Sequence, residues 1–245
     1  MDIFKIIIVI SLFFSSAQAD TIYNLIKIPN LEIYKINTQN GLKYLKPKKP
    51  FQVGLGKDSV TCHNATKQNI NNKFSLVKKN FDKYEIKFLK KINLKYIVLC
   101  ENLSVAGIEA AGVPNYLMKT LILDINFDPI YFERVLHHEI FHIINDSRKE
   151  LFDTKKWINF NKKDFKYAEC STCSDKINLS LFKNTDGFLT EYSMTTPSED
   201  MAEIYSYLIT DYKLLKNKVD KDIILKNKVS YLKNQLLLID KNLKF

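Results

Sequence analysis

The chain has 245 residues, 46% of them apolar, and a formal net charge of +10. That is enough for one domain with a sizeable core, with or without a small N-terminal piece. The positive charge does not point to nucleic acid, because the lysines are scattered and no aromatic-plus-basic RNA-binding signature accompanies them.

Residues 1–19 read as a secretory signal. Lys5 supplies the positive start, Ile6 to Phe14 is an apolar run too short to span a bilayer, and Ala17-Gln18-Ala19 is a small-x-small cleavage site. Asp20 follows the cut where a lipid-anchored protein would carry Cys. No later segment is apolar enough to cross a membrane. The expectation is an exported chain, periplasmic or secreted, with no stable membrane insertion once the signal is removed.

Residues 20–70 form a strand-and-loop region, in which Leu31, Ile33, Tyr34 and Ile36 alternate and Lys46-Pro47-Lys48-Lys49 reads as a solvated loop. Phe74, Val77, Phe81, Tyr84 and Phe88 then recur at helical spacing, which predicts one core-packing helix over residues 73–91. Strands are expected at 95–100 and 120–126, joined by a Gly/Ala/Pro-containing connection from Ala106 to Asn115. Asp128-Pro129 should open the next helix, with Asp as its cap, and the helix should stop near Asn145. A loop-rich insertion at about 147–195 carries the sole Trp157. A second helix opens at Thr196-Pro197 and runs to about Leu215. Leu225, Val229, Leu232 and Leu236 mark a packing helix within 220–243.

Four cysteines in an exported chain are read first as disulfides. Cys170 and Cys173 can close a small local loop, which would leave Cys62 with Cys100. The sequence does not fix this connectivity.

The chemistry concentrates in His138-Glu139-Ile140-Phe141-His142. Two histidines four apart project from one helical face, close enough to share a metal ion, and Glu139 stands where it can take a proton from a metal-activated water. His137 points about 100° away from His138 and reads as a surface residue or a partner to a ligand. A catalytic zinc needs three protein ligands and an open position. A third histidine three residues beyond a glycine is excluded, because Asn145 and Arg148 occupy those positions and no histidine follows His142.

A carboxylate must therefore complete the set. Ser198-Glu199-Asp200-Met201-Ala202-Glu203 offers two acids four apart on one face, so one can bind metal while the other orients an imidazole. Thr196-x-x-Glu199 is equally a capping box, in which Glu199 only closes the helix end. Local sequence does not separate the two. Asp200 needs no more than stabilisation of the helix start.

The pairing of HExxH with a downstream ExxxE helix resembles the gluzincins, zinc peptidases whose third ligand is glutamate. Gly187-Phe188, Tyr192, Pro197 and Glu199-Asp200-Met201-Ala202-Glu203 are similar to a segment of lethal-factor-type toxin proteases. They are closer still to a group of exported bacterial zinc-binding metallopeptidases. Trp157, Phe160-Asn161, Phe165 and Tyr167 look like the Trp-to-Tyr insertion of that group, although Phe160 and Lys162 stand where the group carries Leu and Pro. The resemblance covers roughly residues 95–210. It implies an α+β, zincin-like catalytic domain over residues 71–245, with a small mixed sheet, the HExxH helix and C-terminal helices. It further implies one zinc per chain on His138, His142 and Glu199, with Glu139 as general base, Glu203 behind a ligand, and Tyr192 supporting an oxyanion.

The expected function is hydrolysis of peptide bonds in a peptide or protein substrate. By analogy with zinc proteases, strand 120–126 would form the edge that an extended substrate joins. Two alternatives stand beside it: an inactive secreted binding protein on the same fold, against which the intact Glu139 argues, and a zinc amidase acting on a non-peptide amide such as a cell-wall cross-link.

Overall fold

A computed structural model describes residues 31–54 and 59–245. The proposed signal segment lies outside these residues. Strands β1 (Leu31–Lys35), β2 (Lys43–Pro47), β3 (Phe51–Val53) and β4 (Val60–Asn64) precede helices α1 (Lys67–Phe81) and α2 (Ile86–Lys91). Strands β5 (Tyr96–Val105), β6 (Ile108–Glu109), β7 (Gly112–Asn115) and β8 (Thr120–Asp124) follow. The remainder carries helices α3 (Phe132–Ser147), α4 (Thr154–Ile158), α5 (Pro197–Thr210), α6 (Tyr212–Val219) and α7 (Ile223–Ile239), with a long loop-rich stretch between α4 and α5. The fold is mixed α/β with one curled sheet, as the resemblance implies.

The long strand β5 organises the sheet. Its first half pairs in parallel with β2 and β8, and its second half pairs antiparallel with β4 and β6. The strands of the N-terminal stretch thus join the same sheet as those leading to the HExxH helix. Side-chain alternation divides two faces. Ile97, Leu99, Leu121 and Leu123 enter the main core with the helices. Val98, Cys100 and Ile122 meet Phe51, Val53 and Cys62 in a smaller cluster on the other face. Cys62 and Cys100 form a disulfide across that smaller cluster, and Cys170 and Cys173 form the second. Closing a loop of 38 residues contributes about 3–4 kcal/mol of chain-entropy stabilisation where few apolar side chains are available.

Four expectations need correction. Strand β8 is not an edge: it lies between β5 and β7, and all five of its residues are buried. The edge is β7, where Pro114 is tolerated because a proline there removes no ladder hydrogen bond to a further strand. The helix predicted over 73–91 is two helices. The chain breaks at residues 82–85, and Tyr84 and Phe88 stack in the core with ring centroids 5.6 Å apart. Helix α3 begins at Phe132 and not at Asp128, because the Asp128 carboxylate accepts from the Ile130 N–H in a turn of its own. The helix predicted to run to about Leu215 is interrupted by Asp211 (φ −148°, ψ 71°), which caps α6 instead.

Candidate metal centre

Helices α3 and α5 pack face to face and between them bring together His138, His142, Glu199 and Glu203. Helix α5 starts where the sequence indicates: Thr196 Oγ1 accepts from the Glu199 N–H, and Pro197 fills the first turn, where its missing N–H costs nothing. The Glu199 backbone thus serves the cap, while its carboxylate turns to the two imidazoles. Glu199 Oε2 lies 2.8 Å from His138 Nε2 and 3.2 Å from His142 Nε2, and the two ring nitrogens are 3.1 Å apart. These three residues are the only metal-competent His/Cys/Asp/Glu group among the described residues.

Each outer ring nitrogen has a partner of its own. His138 Nδ1 donates to the Glu203 carboxylate Oε1 at 2.9 Å, and His142 Nδ1 and Ser198 Oγ share a hydrogen bond of 3.2 Å. When both rings are neutral with Nδ1 protonated, each Nε2 carries a lone pair aimed at the other ring and at a carboxylate oxygen. Three acceptors at 2.8–3.2 Å then repel one another unless a metal cation or a proton sits among them. A tetrahedral zinc, with bonds of about 2.0–2.2 Å, would set its ligands about 3.3–3.6 Å apart. The donor set fits such an ion, and the three atoms need to separate by only a few tenths of an ångström to admit it. Protons are the competitor: burial opposes charge on His138, but the hydrogen bonds and charges of Glu199 and Glu203 outweigh it and raise its pKa to about 10. Burial likewise opposes charge on Glu199, and the histidines overcome it, holding the carboxyl well below the usual range.

Glu139 is half-buried beside the same point. Burial raises its pKa, the two histidines lower it, and the negative Glu199 and Glu203 raise it again. The net upward shift makes it a better base near neutral pH. The edge strand makes room for it: a Cβ at Gly112 would stand 2.6 Å from Glu139 Cγ and 3.1 Å from its Cδ. Tyr192, in a short 3-10 turn (Tyr192–Met194), lies over the His138 ring with centroids 5.8 Å apart. Burial first, and then Glu199 and Glu139, push its phenol upward, so it stays a hydrogen-bond donor at any working pH.

The remaining predicted residues lie elsewhere. His137 is fully buried and is neither a surface residue nor a partner to a ligand. It faces the end of α1 and the turn after it, where Asn80 Oδ1 meets Nε2 at 3.0 Å and Tyr84 O–H meets Nδ1 at 2.6 Å. Asp200 does more than stabilise a helix start. Its fully buried Oδ2 accepts from Trp157 Nε1, Tyr167 O–H and Lys228 Nζ at 2.9, 2.6 and 2.7 Å. The Trp-to-Tyr insertion therefore folds around Asp200, and neither cysteine pair enters the metal cluster. Sequence reasoning missed Ser198, Thr190, which donates to Glu203 Oε2 at 2.9 Å, and Arg134, which donates to the same oxygen. Ser198 adjoins a named ligand and could have been found; nothing local marks the other two.

Residues 102–235 match a family model described as "Putative zinc-binding metallo-peptidase". A crystal structure with the same description, from Bacteroides caccae, is similar at 17% identity with a TM-score of 0.41, over 71% of this chain and 69% of that one. No curated protein matches the chain.

Proposed function

The chain belongs to this family of zinc-binding metallo-peptidases, and from that premise we propose that it is an exported hydrolase of peptide bonds that carries one zinc ion on His138, His142 and Glu199. The observation that carries the proposal is the convergence of three metal-competent side-chain atoms on one point with the Glu139 carboxylate beside it. When bound, zinc acts as a Lewis acid on a carbonyl and lowers the pKa of a water towards about 7.

The chain's own groups do the rest. Glu139, with its raised pKa, accepts the proton of the attacking water and returns it to the leaving amine. Tyr192 O–H donates to the oxygen on which negative charge develops. Glu203 fixes the tautomer and tilt of His138, and Ser198 does so for His142. An extended substrate would add to β7, whose outer side no described strand occupies. Export is supported by the two disulfides, which persist in oxidising compartments. Among the described residues, no helix is long and apolar enough to cross a membrane.

The test is metal analysis of the purified chain, with cleavage of a broad peptide library by wild type and Glu139→Gln. One zinc per chain in both, with cleavage lower by about 10²–10⁴-fold in the variant, is expected. Zinc in both with no peptide cleaved by wild type overturns the peptidase assignment and favours a binding protein or an amidase of another substrate class.

A further inference from the structure

Behind the three ligands lies a buried cation that the proposed function leaves unused. Arg134 stands on α3 one turn before His138, with its side chain 9% exposed. Its Nη1 donates to Glu203 Oε2, and its Nη2 donates to the Leu179 carbonyl at 2.7 Å. The rings of Tyr131 and Tyr207 lie 5.5 and 4.9 Å from the guanidinium carbon. Arg134 thus grips the carboxylate that in turn grips His138, and ties both to the insertion.

Charge accounting gives this contact a meaning. Glu139, Glu199 and Glu203 bring three negative charges to one buried region, and a divalent ion supplies only two positive ones. Asp200 does not enter the sum, because Lys228 neutralises it separately. Among the described residues, Arg134 is the cation paired with this set. An excess buried charge of either sign is strongly disfavoured.

On the reading that His138, His142 and Glu199 hold zinc, we infer that Arg134 is a positioning residue of the metal centre: the fixed cation that completes its charge balance and holds Glu203 against His138. The alternative is a purely structural role, in which Arg134 only fastens α3 to the Leu179 segment. The two differ in what they predict for metal affinity and for coupling with Glu203.

The experiment is a zinc titration of the full chain against a chromophoric chelator, with thermal melts in parallel, for wild type, Arg134→Met, Arg134→Lys, Glu203→Gln and the double variant Arg134→Met/Glu203→Gln. Wild type should bind one zinc. Arg134→Met should weaken zinc by about 10–100-fold, as losses behind a metal ligand do. Arg134→Lys should recover most of that loss, although it lacks the second arm to Leu179. The double variant should be no weaker than Glu203→Gln alone, since both residues act through one carboxylate. Unchanged zinc affinity in Arg134→Met with a lowered melting point, or additive losses in the double variant, overturns the inference in favour of the fastening role. If Arg134→Met does not fold, the comparison passes to Arg134→Lys, and zinc weakened as far as in Glu203→Gln refutes the charge argument. A wild type that takes up no zinc defeats the metal assignment itself, a separate result visible before any variant is compared.

Discussion

Neighbouring acids on helix α5, Glu199 and Asp200, project about 100° apart into two buried clusters. Glu199 meets two imidazole nitrogens and, among the described residues, no lysine or arginine, so its balancing charge is a proton on His138 or an added ion. Asp200 meets Lys228, Trp157 and Tyr167, and its counter-charge is built into the fold. One helix therefore presents an exchangeable centre and a permanent one. The first can load an ion from solvent, and the second locks the insertion and α7 onto α5. Buried charge is evidence of function only where the fold leaves the balancing charge to be added.

The contrast can be broken most directly at Glu199. Glu199→Ala should reduce zinc to substoichiometric levels while the helix persists, because the Thr196 cap uses only the Glu199 backbone; zinc analysis with far-ultraviolet circular dichroism checks this. Retained zinc would return Glu199 to the role of a capping residue. At the permanent centre, Lys228→Met should leave the Asp200 carboxylate uncompensated and cost about 3–5 kcal/mol. That corresponds to a melting point lower by roughly 10 °C for a chain of this size, with zinc per folded chain unchanged. Loss of zinc without loss of stability would erase the distinction between the clusters.

A smaller effect is expected from Gly112→Ala. Its Cβ would displace Glu139, so turnover should fall by roughly 10–100-fold with zinc affinity intact, read from kcat and a chelator titration.

The mildest effect is the response to pH. The His138 pKa of about 10 in the metal-free protein lies above its unfolded value of about 6.5. Its stabilising contribution is therefore complete below pH 6.5 and is lost as pH rises through about 10. Melts of metal-free protein should decline across that window. The zinc-loaded protein, whose histidine is already neutral, should decline less, and apparent zinc affinity should rise over the same range because fewer protons must be displaced. Parallel melting curves with and without zinc would count against an exchangeable centre.

Local signals carried well where a few consecutive residues suffice. HExxH marks the helix and its inward face, Thr196-Pro197 marks the start of α5, and a CxxC pair can hardly avoid closing on itself if oxidised. The same signals failed where a competing local turn or a neighbour in space decided the outcome. Asp128 and Pro129 look like a helix start, but Asp128 closes its own turn. The aromatic stripe from Phe74 to Phe88 looks continuous, but the chain turns to stack Tyr84 on Phe88 and to place its hydroxyl on His137.

By itself the sequence determined the two imidazoles, the glutamate between them and the acids four apart that could serve them, because helical periodicity fixes spacing within an element. Only the tertiary structure decided that Glu199 faces the imidazoles while Asp200 faces Lys228, that β7 is the edge strand, and that Arg134 reaches Glu203. Those are contacts between elements far apart in the chain. They are set by how helices and strands pack and by where buried charge must be balanced, and no local pattern of residues encodes them.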